Sequence, residues 1–134
     1  MAEDRLHCVV VTPETTLFDE AVDFVALPLF DGELGVLPGR APLIGRLGYG
    51  ELRTNLGAET KSYYIDGGFA QVRDDVVTVL TSNAQPAHKI DRVAASASLA
   101  KAQTIHPTTD AEFADRDRMM DRARAQLRIA ERKA

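Results

Sequence analysis

The fold class predicted for this chain is β plus α: an N-terminal antiparallel β-sandwich followed by a C-terminal two-helix antiparallel hairpin. Three observations carry that prediction. All nine glycines fall between Gly32 and Gly68, whereas residues 87–134 hold twelve alanines and no glycine. Short runs of β-branched and aromatic residues, separated by turn chemistry, fill residues 1–86. Charge also changes sign after Pro86: residues 1–86 carry 6 basic and 13 acidic side chains, net −7, and residues 87–134 carry 10 and 7, net +3. The expected division is therefore a sandwich at 1–86 and a helical hairpin at 87–134.

Strands are expected at 6–12, 22–30, 50–56, 61–66, 69–73 and 76–82. Pro13, Asp31-Gly32, Gly57, Asp66-Gly67-Gly68 and Asp74-Asp75 punctuate them, since Gly and Asp accept turn backbone and Pro removes a ladder donor. Asp74-Asp75 suits a hairpin turn better than an acid–base pair. Residues 32–43, GELGVLPGRAPL, hold three glycines and two prolines in twelve positions, which rules out a helix. Their apolar side chains predict a tightly turned β connection with Val36, Leu37 and Leu43 anchored in a core. Two strands are apolar on both faces. Leu6, Cys8 and Val10 alternate with Val9 and Val11, and Val77 and Val79 alternate with Val76 and Leu80. A small sandwich ordinarily shows water a polar face, so some outer surface is expected to be covered, by the C-terminal part or by another protein.

The first helix is expected at 91–103, with Asp91 at its start. Pro107 breaks the pattern, and Thr109 and Glu112 stand at capping-box spacing to open a second helix running to about Arg132. Phe113, Met120 and Leu127 recur every seven residues with Ala123 and Ala130 between them, giving one apolar seam. The facing helix is nearly all small residues. At roughly 25 cal/mol per Å² such burial yields little, so the hairpin is expected to be held loosely and to be able to exchange partners. Its basic end, with Arg122, Arg124, Arg128 and Arg132, suits an acidic protein surface.

Composition bounds the function. With 134 residues, 45% hydrophobic and 27% charged, the chain has the make-up of a soluble globular domain. No apolar run approaches the roughly 18 residues of a membrane span, and no signal or transit pattern is expected at the N-terminus. Cys8 is the lone cysteine, expected as a buried strand residue. A net charge of −4 without interleaved aromatics argues against nucleic acid. Gly32, Gly35 and Gly39 lead into Arg40-Ala41 rather than the Lys-Ser/Thr of a phosphate loop. His7, His88 and His106 have no partner at metal-ligand spacing, and no nucleophile motif is present. No catalytic residue, cofactor or metal site is expected, and the residues read as a binding or regulatory module. A freestanding sandwich adaptor with a coiled-coil tail, or a small hydrolase with a cryptic site, are the alternatives from other classes.

Residues 32–43 resemble the signature of the epsilon subunit of bacterial F-type ATP synthase. Val10–Glu14 (Val-x-Thr-Pro-Glu), Gly67-Gly68-Phe69 with Val72, Val76 with Val79-Leu80, Ile90-Asp91 and the C-terminal stretch 125–131 continue the resemblance in order along essentially the whole chain. The resemblance implies a non-catalytic rotor subunit of a proton- or sodium-driven ATP synthase, peripheral at the cytoplasmic face of the bacterial inner membrane and held there only through the complex. It implies a sandwich that binds the gamma subunit on one side and the polar loops of the membrane c-ring below, with Glu33 as the c-ring contact. Arg40 is a further partner-binding candidate, standing where members often carry His. The hairpin is implied to be able to extend along gamma and inhibit ATP hydrolysis. Its second helix is then implied to meet an acidic loop of the beta subunit, or the alpha subunit, through Arg122, Arg124 and Arg128. Some members bind ATP through an I/L-D-x-x-R-A motif. Here Ala94 replaces that arginine, and Gln126 stands where a second-helix arginine is expected. Asp91 and Arg122 are thus remnants of that regulatory site, and ATP binding at it is expected to be weak or absent.

Overall fold

The structure, a computed structural model, describes residues 5–133; residues 1–4 and 134 of the expected divisions lie outside the described residues. In chain order the strands are β1 (Leu6–Val11), β2 (Thr16–Val22), β3 (Phe24–Leu29), β4 (Gly32–Val36), β5 (Leu43–Leu56), β6 (Glu59–Arg73), β7 (Val76–Leu80) and β8 (Ala84–Pro86). A 3-10 turn at Ala87–Lys89 leads to α1 (Arg92–Gln103) and α2 (Asp110–Lys133). The strand order is β2-β1-β7-β6-β5-β3-β4, with β8 alongside β6. Neighbours are antiparallel except β1 and β7, which run parallel.

The long β5–β6 hairpin organises the sandwich. It pairs continuously from Leu43↔Val72 to Leu56↔Glu59. The late half of β6 pairs with β7, and its early half pairs with β8. One hairpin therefore serves both sheets. Their inner faces meet in a single core, where Leu6, Cys8, Val10 and Phe18 pack with Val25, Leu27, Leu52 and Ile65. Alternation along β1 and β7 decides which side chains enter it, because successive residues point to opposite faces.

Several expectations need correction. The expected strands at 61–66 and 69–73 are one strand. Gly67 and Gly68, at φ of 72° and 108°, bend it without ending it. A side chain at Gly68 is excluded, since its Cβ would stand 2.0 Å from the Leu80 carbonyl oxygen. The strand expected at 50–56 begins at Leu43, and β2 and β8 were not expected. β2 reads TLFDEAV, where two acidic residues mask the alternation. The glycine-rich run at 32–43 contains β4, in which Val36 is buried as expected. Leu43 is half-buried against the core. Leu37, by contrast, is 62% exposed, because the position after Val36 points to the opposite face. The turn at Asp74-Asp75 is as expected, with both residues at positive φ.

The helices begin where local chemistry directs. Asp91 Oδ1 accepts from the Val93 and Ala94 amides at 2.9 and 3.2 Å. The Glu112 amide donates to Thr109 Oγ1, and the Thr108 and Thr109 amides donate to Glu112 Oε1. Between the helices the contact is made by alanines, with Ala95, Ala102 and Ala123 all buried. The expected seam is only partly covered: Phe113 is 48% exposed, near the end of α2 that lies beyond the sheet contact. The best-buried face of α2 is a different one, Ala125 and Ile129, which packs on Tyr64 and Ala87. None of the described helices is long and apolar enough to cross a membrane.

Candidate functional site

The outer faces of the sandwich differ, and the difference is set by strand register. On one face, β5–β6 pairing sets Tyr49 beside Asp66 and Glu51 beside Tyr64. These four face α2, whose residues 122, 125, 129 and 132 recur at helical spacing and form one stripe. Arg122 Nε donates to Asp66 Oδ1 at 2.8 Å, and Tyr64 Oη donates to the same oxygen at 2.9 Å. Ser82 Oγ donates to the Asp66 backbone oxygen at 3.1 Å. The Arg122 guanidinium also lies 5.6 Å from the Tyr49 ring centroid. Ten residues on, Arg132 Nη2 meets Glu51 Oε1 at 2.7 Å. Both carboxylates are largely shielded, the Asp66 side chain being 9% exposed and that of Glu51 12%.

This clamp has an electrostatic signature. The hydrogen bond to Asp66 raises the pKa of Arg122 above its ordinary value. Burial pushes the Tyr64 hydroxyl well above the usual phenol range, and the neighbouring Asp66 carboxylate adds to it. Tyr64 therefore stays a neutral donor to Asp66. The ion pairs and the Tyr64–Ile129 packing hold the hairpin down on the sandwich, a restraint that the alanine seam alone did not predict.

The opposite outer face is open. Register across four strands aligns Arg46, Phe69, Leu80 and Val11 in one row, with Ile44, Gln71, Thr78 and Val9 in the next. Ile44 is 75% exposed, Phe69 58% and Leu80 54%. The apolar outer surface expected from the sequence is thus present, and the helices do not cover this part of it.

The candidate residues named from the sequence are spread over the molecule. Glu33 lies on β4, exposed, and accepts from Arg53 Nη2 of β5 at 2.8 Å. Arg40 is exposed in the loop after β4, whose Gly39 amide donates to Asp75 Oδ1. Asp91 is engaged as the cap of α1, and Arg122 is engaged with Asp66. Arg124 and Arg128 are exposed on α2 and line a cleft of about 450 Å³ where that helix meets the β3–β4 turn. The residues missed from sequence are Asp66, Tyr64 and Glu51, which receive α2. In the sequence the Asp66-Gly67-Gly68 run reads as turn chemistry, with its glycines also part of the family resemblance. Its one available signal was a carboxylate at a glycine bend in a half-buried strand. His7, beside Asp19, and His88 and His106 are all exposed.

Residues 5–87 match the family described as ATP synthase, Delta/Epsilon chain, beta-sandwich domain. The ATP synthase epsilon chain of Rhodopirellula baltica is 53% identical over 125 residues, covering 93% of this chain and 98% of that one. The epsilon chain of Syntrophobacter fumaroxidans is 38% identical over 134 residues, covering 98% and 99%. Among solved structures, a chain of the Euglena gracilis mitochondrial ATP synthase, described as OSCP/F1/c-ring in rotational state 1, superposes with a TM-score of 0.82 at 24% identity, covering 91% of this chain and 79% of that one. A chain of the Tetrahymena thermophila mitochondrial ATP synthase central stalk and c-ring gives 0.71 at 14% identity, covering 93% and 96%. At these identities the two structures speak to the fold.

Proposed function

The chain belongs to the ATP synthase delta/epsilon family, and from that premise we propose that it is a non-catalytic subunit of the central stalk, docked to the gamma subunit and to the c-ring. The observation that carries this reading is the open apolar strip of Ile44, Phe69 and Leu80. Its side chains stand on paired strands of one sheet and are left uncovered by the chain's own helices. A surface of this kind supports docking by burial at roughly 25 cal/mol per Å². We assign the strip to gamma. Glu33, on the edge strand away from the strip, is assigned to the c-ring loops, with Arg53 fixing one of its oxygens. Arg40, in the following loop, is assigned to the same end. Membrane association then runs through the complex, on the cytoplasmic side.

In the same reading the hairpin is a regulatory element. Released from Asp66 and Glu51, α2 would carry Arg122, Arg124 and Arg128 to an acidic surface of the catalytic head and slow ATP hydrolysis. The motif at 90–95 supports little ATP binding there, since Asp91 caps α1, Ala94 offers no cation and Arg122 is held by Asp66.

The test is titration of the full chain into a catalytic head depleted of this subunit. Saturable binding is expected. Phe69→Glu, which places a charge in the buried centre of the docked strip, is expected to weaken it by at least ~2 kcal/mol, about thirtyfold. Arg124→Gln with Arg128→Gln should leave docking intact and relieve inhibition of hydrolysis. Unchanged docking of the Phe69 variant would remove the strip from the interface.

A further inference from the structure

The cleft between the sandwich and α2 is walled by arginines that the stalk role leaves unused in the folded-down hairpin. Arg46 enters it from β5, and Arg124 and Arg128 enter from α2. Among the described residues none of the three makes an ion pair. Of the two carboxylates at the cleft, Asp66 is already taken by Arg122 and Tyr64, leaving Asp121 against three cations. Arg118, the fourth arginine, is paired with Asp115. The charge surplus is therefore local, although the chain as a whole is net −4.

Shape narrows the class of ligand. Part of its lining is backbone of Gly48, Gly67 and Gly68, beside the side chains of Phe30 and Tyr49. A volume of about 450 Å³ falls within the ~300–1,000 Å³ typical of small-molecule sites, too confined for a folded acidic segment. Guanidinium groups recognise phosphate oxygens through paired, charge-assisted hydrogen bonds. Three of them lining one cleft from two elements suit an anion with several phosphate groups in line. Arg46 is also braced, with its guanidinium 4.6 Å from the Phe30 ring centroid.

We propose that this cleft binds a phosphate chain, bridging Arg46 of the sandwich to Arg124 and Arg128 of α2. The chain could be inorganic polyphosphate or the phosphate tail of a nucleotide, which share this chemistry. The site is distinct from the hairpin motif, since neither Asp91 nor Arg122 lines it.

The test is calorimetric titration of the full chain with tripolyphosphate, and separately with ATP, in chloride of matched ionic strength. Saturable binding of tripolyphosphate is expected. Arg46→Gln and Arg128→Gln should each weaken it about tenfold or more, as for loss of a charge-assisted contact. Arg73→Gln, at the far end of β6 and outside the cleft, should leave it unchanged. Equal affinity for ATP and tripolyphosphate identifies the phosphate chain as the whole determinant. Tighter ATP binding that is still lost in the Arg46 variant adds a contribution from the nucleoside. Absence of saturation above the chloride control would overturn the proposal. So would equal weakening by Arg73→Gln, or binding that depends on Asp91 and Arg122 instead of Arg46. Binding of a polyglutamate peptide without tripolyphosphate binding would also overturn it, pointing to an acidic protein partner.

Discussion

Cys8 shows how a single side chain reports on the fold. Buried in the core, its thiol is pushed up to about 12 by desolvation. The nucleophilic thiolate is therefore suppressed in the native state. Labelling at pH 8 is expected to be at least ~100-fold slower in the folded chain than in denaturant, as read by mass spectrometry of alkylated protein. Gly68 is the other sharp position. Its positive φ and the Leu80 carbonyl 2.0 Å from a built Cβ leave no room for Gly68→Ala. That substitution is expected to cost about 3 kcal/mol or more, combining backbone strain with overpacking, as measured by urea denaturation. Local roles such as Cys8 burial and the Asp91 cap were legible because neighbours in sequence determine them. Asp66 was not, because its value comes from Tyr49 across the ladder and Arg122 fifty-six residues away.

The start of α2 makes a pH prediction at the scale of an element. Amides of Thr108 and Thr109, with the Thr108 hydroxyl, donate to Glu112 and hold its carboxyl below the ordinary range, the Thr108 amide contributing most. A depressed folded-state pKa means the stabilisation is fully present above the usual glutamate range and is lost as pH falls through the folded value. Protection of the 108–112 amides, measured against their intrinsic exchange rates, is expected to fall on acidification below about pH 4.3, the ordinary glutamate value. Glu112→Gln should flatten that dependence. Thr109→Ala, which removes the other half of the box, is expected to cost ~1 kcal/mol in thermal or urea unfolding. These caps were visible as spacing. The two faces of α2 were harder to read: alanines serve both, so hydrophobic pattern alone found the Met120–Leu127 seam and missed Ala125 and Ile129. β6 was likewise divided, and β5 cut short, at glycines, since a glycine bend and a glycine turn have the same local composition.

At the scale of the whole molecule, hairpin attachment depends on two ion pairs and a small apolar contact. Arg122 and Arg132 are each about half exposed, so their pairs are open to salt even though the carboxylates are shielded. Raising chloride from 0.05 to about 1 M, where screening extends to about 3 Å, is expected to increase proteolytic cutting within 104–109 and deuterium uptake in α2. The sandwich should remain protected. Arg122→Gln with Arg132→Gln should give the same response at low salt. The boundary between sheet and helices was legible as a change from glycine and acid to alanine and base. The clamp across it was not, because it joins residues whose only link is the folded surface.

The bend in β6 has a mechanical consequence. Phe69, on the open face, and Asp66, which holds α2, are three residues apart on one strand, about 10 Å at 3.3 Å per residue. Between them lies only Gly67-Gly68, whose geometry allows no side chain to cushion movement at Gly68. A load applied at the open face thus reaches the carboxylate gripping the hairpin through covalent backbone, with no loop to absorb it.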